Sequence, residues 1–150
     1  MKKLTLLLFT LVFSHSFAQD NNLIGKWQVI SVDNSDVFYS IQNDSIKVYD
    51  SIKEQYNDTS KIEALKDMIK MMYFNTTFTF EKEGKYIQES DMATFNLLYK
   101  IDKEKGTILL SNDKLNFDNK TTLMYYKFVD DILYLEITDT EPSTKFVLKK

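Results

Sequence analysis

The sequence predicts a mainly β protein: an eight-stranded antiparallel up-and-down barrel with a helical insert between the first and second strands. Three observations carry this expectation. Apolar residues alternate with period two from about Asn75 to the end, turn residues cut that alternation into short segments, and residues 41–73 run at helical spacing instead.

Taken in order, the chain opens with Met1-Lys2-Lys3, an apolar run from Leu4 to Phe13, and the small residues Ser16 and Ala18. A positive start, an apolar core and a small-residue ending read as a secretory signal peptide, 1–18, cleaved after Ala18. The apolar run of ten residues is too short for a membrane-spanning helix, which takes about 20. No cysteine follows it to carry a lipid anchor. The expectation is a secreted or periplasmic protein whose residues 19–150 form one soluble domain with no stable membrane insertion.

The first strand begins near Leu23, with Trp27, Val29 and Ser31 on one face. Ile46, Tyr49, Ile52 and Tyr56 then recur at spacings of three, three and four, and Ile62, Leu65, Ile69 and Met72 repeat the pattern. Between them, Ser60 and Glu63 match a capping box. Two helices joined by a polar turn follow from this, with a single long helix as the alternative. Phe78 and Phe80 mark the second strand, and Glu83-Gly84 turns it into a third over 85–89. Phe95, Leu97, Tyr99 and Ile101 share a face of the fourth. A turn ending at Gly106 leads to 107–111, and a polar loop follows over 112–121. Strands at 122–129 and 132–139 flank Asp130-Asp131, and 144–148 closes the count at eight. Short sequential connections favour antiparallel neighbours, and closure removes the exposed edges.

Composition narrows the chemistry. The sequence has no cysteine, its one histidine is His15 in the leader, and all 19 basic residues are lysines. The processed chain thus lacks imidazole, thiol and guanidinium. Ser-His-Asp or Cys-His catalysis, histidine or thiolate zinc sites and bidentate arginine clamps are excluded. Loss of Lys2 and Lys3 moves the formal charge from −3 to −5, which argues against nucleic acid as a partner. The expectation is a non-enzymatic protein without cofactor or metal; a carboxylate-only hydrolase, which would need two acidic groups about 5–10 Å apart in a cleft, is a distant third reading. The carboxylate pairs Asp130-Asp131 and Glu81/Glu83 are read as turn and surface chemistry.

Leu23-Ile24-Gly25-Lys26-Trp27 resembles the Gly-x-Trp opening of the lipocalin and calycin families. Phe78, Phe80, Gly84 and Tyr86 resemble a hairpin of lipocalin-like domains in secreted bacterial proteins. The resemblance implies that Trp27 plugs one end of a barrel. It also implies a basic residue over that tryptophan, a place that only lysine can take here, with Lys145 or Lys149 as the candidates. A helical pair in this position is similar to the lid of intracellular fatty-acid-binding proteins.

Candidate ligand-binding residues are Trp27 and the interior aromatics Phe78, Phe80, Tyr86, Phe95 and Tyr99, with Met68 and Met72 (beside Met71) as a lid lining. Each has a plainer role: Trp27 as a plug, the aromatics as filled core, the methionines as packing of helix on barrel. Two functions follow. One is binding of a small apolar or amphipathic molecule in the barrel under a helical lid. The other is a filled barrel that meets a protein partner, as an inhibitor or envelope assembly factor, through an exposed apolar patch near Tyr49, Tyr56 and Tyr73.

Overall fold

The structure, a computed structural model, describes residues 21–112, 122–139 and 141–150. The signal peptide expected over 1–18 and most of the loop expected over 112–121 lie outside the described residues. The elements run β1 (Gly25–Asp33), β2 (Val37–Ser40), β3 (Ser45–Val48), α1 (Thr59–Tyr73), β4 (Thr77–Phe80), β5 (Lys85–Glu89) and β6 (Thr94–Asp102). They continue as β7 (Thr107–Ser111), β8 (Thr122–Val129), β9 (Ile132–Ile137) and β10 (Thr144–Lys149).

From β4 to β10 every strand pairs antiparallel with the next, β4 pairs with β1, and β10 returns to β1. Eight strands therefore close into an up-and-down barrel, as the alternation predicts. Turn chemistry sets the corners. Gly84 and Gly106 take φ of +78° and +64°, where a side chain is strained, and Asp130 takes +53° in the two-residue turn between β8 and β9.

A bulge in β1 shapes the rest. Val29 pairs with Leu148 and Ser31 with Val147, so Ile30 is an extra residue. Before the bulge β1 pairs with β4 through Gly25–Gln28; after it, the same edge pairs with β2 through Ser31–Asp33. The bulge also switches the inward face. Trp27 and Val29 point in, but Val32 takes the next inward place, and Ser31, expected on the face of Trp27, belongs to the outer one.

The insert differs from the two helices expected over 41–73. Its first half is the β2–β3 hairpin, and its second half is one helix. Strand pairing overrides the helical spacing because β4 covers only Gly25–Gln28 of β1 and leaves the far half of that edge free, which β2 satisfies. Asn34 Oδ1 accepts from the Asp36 and Val37 amides and so aims the chain back. Ile52 and Tyr56 lie in successive turns, where the Ile52 amide donates to Tyr49 O and the Tyr56 amide to Ile52 O. The capping box is also not used. Asp58 is the N-cap, its carboxylate accepting from the Lys61 amide at 2.9 Å, and Ser60 lies within the first turn.

Leu65 and Ile69 are the buried face of α1, and Tyr73 sets its ring 5.7 Å from Phe146. Asp44 clasps the helix to the β2–β3 turn. It accepts from the buried Tyr39 hydroxyl at 2.8 Å and lies 3.2 Å from Lys66 Nζ and 3.3 Å from Lys70 Nζ. The hydrogen bond from Tyr39, with Lys66 next, pulls the Asp44 carboxyl down to about 2. Burial first, and Asp44 second, push the Tyr39 phenol up to about 12.

Candidate functional site

Alternation on β1, β4, β5 and β6 brings five of the expected residues together inside the barrel: Trp27, Phe78, Phe80, Tyr86 and Tyr99, none more than 5% exposed. Four of them meet ring to ring. Phe78 lies 5.3 Å from Phe146 and 6.1 Å from Tyr86, and Phe80 lies 5.2 Å from Tyr86 and 5.3 Å from Tyr99. Their polar tips are bonded within the protein. Tyr99 Oη donates to Glu81 O at 2.8 Å and Tyr86 Oη to Gln88 Oε1 at 3.1 Å. Burial raises both phenols above their ordinary value.

Trp27 sits toward one end, its Nε1 donating to Leu23 O at 2.7 Å and its ring 5.8 Å from Phe128. The lysine over it is Lys150, with Nζ 4.7 Å from the ring centre, rather than Lys145 or Lys149. Strand register explains the change. Lys145 and Lys149 pair with Asp33 and Gln28, outside the alternation that turns Phe146 and Leu148 inward. Lys150 instead leaves β10 and anchors its Nζ on Asn22 O at 3.0 Å.

Three expected residues are not in the interior. Phe95 is 53% exposed, Met68 47% and Met72 38%. Alternation gives the face of Phe95 but not its depth. It is the second residue of β6, next to the β5–β6 turn, where the strand's first three residues are all exposed. On α1 the helical period places Leu65 and Ile69 against the barrel and turns Met68 and Met71 toward solvent.

These exposed residues form an apolar rim with Phe74 and Met92. Asn75 Nδ2 donates to Asp91 Oδ2 at 2.8 Å, tying the end of the helix to the turn that carries Met92. Tyr49, Tyr56 and Tyr73, where sequence reasoning looks for such a patch, are instead half-buried against the fold. Tyr49 donates its hydroxyl to Asp33 Oδ2 at 2.9 Å.

A second surface lies on the outer face of β8, β9, β10, β1 and β2. Register aligns Tyr125, Glu136, Lys145, Asp33 and Phe38 in one row across these strands, and Lys127, Tyr134, Val147 and Ser31 in the next. Together with Lys105 and Gly106 of the β6–β7 turn they bound an open groove of about 500 Å³. Its charges are held in place. Glu136 accepts from Ser143 Oγ at 2.8 Å and lies 3.9 Å from Lys145 Nζ, and Lys127 Nζ sits 5.2 Å above the Tyr134 ring.

No family model and no curated protein matches this chain. Its fold is similar to a solved one. A DUF4847 family protein from Bacteroides vulgatus ATCC 8482 superposes with a TM-score of 0.50 at 13% identity, covering 87% of this chain and 94% of that one. At that identity the likeness shows an eight-stranded antiparallel barrel and nothing of function.

The sequence reasoning missed the outer groove. Its signal was present in the residues between the inward Met124, Tyr126 and Phe128. Tyr125 and Lys127 alternate with them, as Tyr134 and Glu136 do with Leu133 and Leu135. Among the described residues no cluster of three or more His, Asp or Glu side chains is arranged to hold a metal, and no helix is long and apolar enough to cross a membrane.

Proposed function

We propose that this chain is an exported, non-enzymatic interaction protein: a lipocalin-like barrel with a packed interior, which binds through its outside. The observation that carries this reading is the ring-to-ring contact of Phe78, Phe80, Tyr86, Tyr99 and Phe146 inside the barrel, which favours a filled core over a ligand cavity. The rim of Met68, Met71, Phe74, Met92 and Phe95 supports it. Flexible methionines beside two phenylalanines make an adaptable apolar surface suited to an apolar segment of a protein partner.

Two measurements test the proposal. Native mass spectrometry of the chain from Gln19, followed by organic extraction, is expected to find no bound lipid, and a fatty-acid panel is expected to leave the thermal midpoint unmoved. A lipid at one-to-one stoichiometry would overturn the packed-interior reading. The triple variant M68K/M71K/M92K is expected to keep the wild-type midpoint, because these side chains are exposed. It is expected to lose a protein that co-purifies at fixed stoichiometry with the wild type. Retention of that protein by the variant would remove the rim from the proposal.

A further inference from the structure

We infer that the outer groove is a binding site for a short, uncharged oligosaccharide laid across β8, β9, β10, β1 and β2. The inference rests on the reading that the outside of the barrel does the binding. Its volume of about 500 Å³ falls in the range of small-molecule sites, roughly 300–1,000 Å³. Tyr125 stands at one end, 46% exposed, and Phe38 stands at the other. Four strand spacings separate them, roughly 19 Å, which matches the length of a tri- or tetrasaccharide. Tyr134 lies between them. Tyr125 and Phe38 offer aromatic faces to the C–H faces of pyranose rings, while Tyr134, with Lys127 Nζ 5.2 Å above its ring, lines the groove between them.

The polar groups between the rings select the class. A sugar hydroxyl donates and accepts at once, and the groove sets acceptors beside donors: Glu136 next to Lys145, and Asp33 paired in register with Lys145. These groups are positioned before any ligand arrives. Asp33 is held by the Tyr49 hydroxyl and by the Ser35 amide at 3.0 Å, and Glu136 is held by Ser143. A hydrocarbon ligand would strip water from Asp33, Glu136 and Lys145 and offer them no hydrogen bond in return, which selects against it. A polyanion finds too little free positive charge, because Lys145 lies beside Glu136, Lys105 is paired with Asp102, and Asp33 stands in the same row as Lys145.

The test is titration of the chain from Gln19, followed by NMR, with cellotriose, maltotriose, xylotriose and tri-N-acetylchitotriose, and with an alternating Lys-Glu hexapeptide for comparison. At least one trisaccharide is expected to saturate a single site. Y125A and Y134A are each expected to weaken it at least tenfold, Y125F is expected to bind nearly as well as wild type, and F95A on the rim is expected to leave it unchanged. Circular dichroism verifies that each variant is folded. Three outcomes overturn the inference: no saturable binding to any of the four sugars, binding untouched by both alanine variants, or tighter binding of the peptide than of every sugar. An interior lipid would overturn the packed-interior reading alone and leave this titration interpretable.

Discussion

Phe78 is 0% exposed and packs its ring against Phe146 and Tyr86, so truncation at this position removes contacts on several sides. Phe78→Ala is expected to cost about 3–5 kcal/mol, the usual loss for a buried phenylalanine. Phe95→Ala, at a position 53% exposed, is expected to stay within about 0.5 kcal/mol of wild type. Urea unfolding followed by the fluorescence of Trp27, the sole tryptophan, measures both. Equal losses at the two sites would mean that the rim is as tightly packed as the core. The contrast also marks the limit of reading alternation one residue at a time. Period two sorts Phe78 and Phe95 onto the same face, whereas the depth of each depends on how far the neighbouring strands extend beside it.

At the scale of elements, the docking of α1 on the β2–β3 hairpin runs through Asp44. Its carboxyl is held at about 2, below its ordinary value of 3.8, by the hydrogen bond from Tyr39 and by Lys66. A depressed carboxylate contributes stability that is complete above the unfolded value and is lost as pH falls through the folded one. The contribution of Asp44 is therefore full above about pH 4 to 5 and fades toward pH 2. Glu89, lowered by Lys26, and Asp102, lowered by the Lys105 amide, fade in the same acidic range. The diagnostic quantity is therefore the difference between wild type and Asp44→Asn. That difference is expected to be largest near neutrality and to shrink as pH falls from 5 to 2, with amide protection lost first in α1. A difference independent of pH would show that the charge of Asp44 contributes nothing through Tyr39 or the lysines. The N-cap offers a second handle on the same helix: Asp58→Ala is expected to cost about 1 kcal/mol, read by the helical signal on heating.

Across the whole molecule, closure joins the first strand to the last. β1 pairs with β10, more than a hundred residues away in sequence, and with β4 across the entire insert. Such distant pairings must pay loop-closure entropy before they are rewarded, which places folding in the millisecond-to-second range typical of all-β topologies. Stopped-flow refolding, read by Trp27 as it is buried, is expected to show a main phase on that timescale. A submillisecond main phase would mean that the barrel closes after the tryptophan is already packed.

The eight barrel strands, their antiparallel order, the inward places of Trp27, Phe78, Phe80, Tyr86 and Tyr99, and the chemistry that the chain lacks were all legible in the residues alone. These follow from local period, turn residues and composition, which act over a few neighbouring residues. The β2–β3 hairpin was faintly legible, since Val37-Phe38-Tyr39 lies between turn-forming Asp33-Asn34-Ser35 and Asn43-Asp44. The remainder came from contacts between distant strands. The edge of β1 that β4 leaves unpaired beyond Gln28 turned a helical spacing into a strand. Register carried Lys150, not Lys145 or Lys149, over Trp27. Alignment of five strands gathered Tyr125, Tyr134, Glu136, Lys145 and Phe38 into one groove. The physical reason is the same in each case: these outcomes depend on which distant backbone groups satisfy one another's hydrogen bonds, and no local pattern encodes that choice.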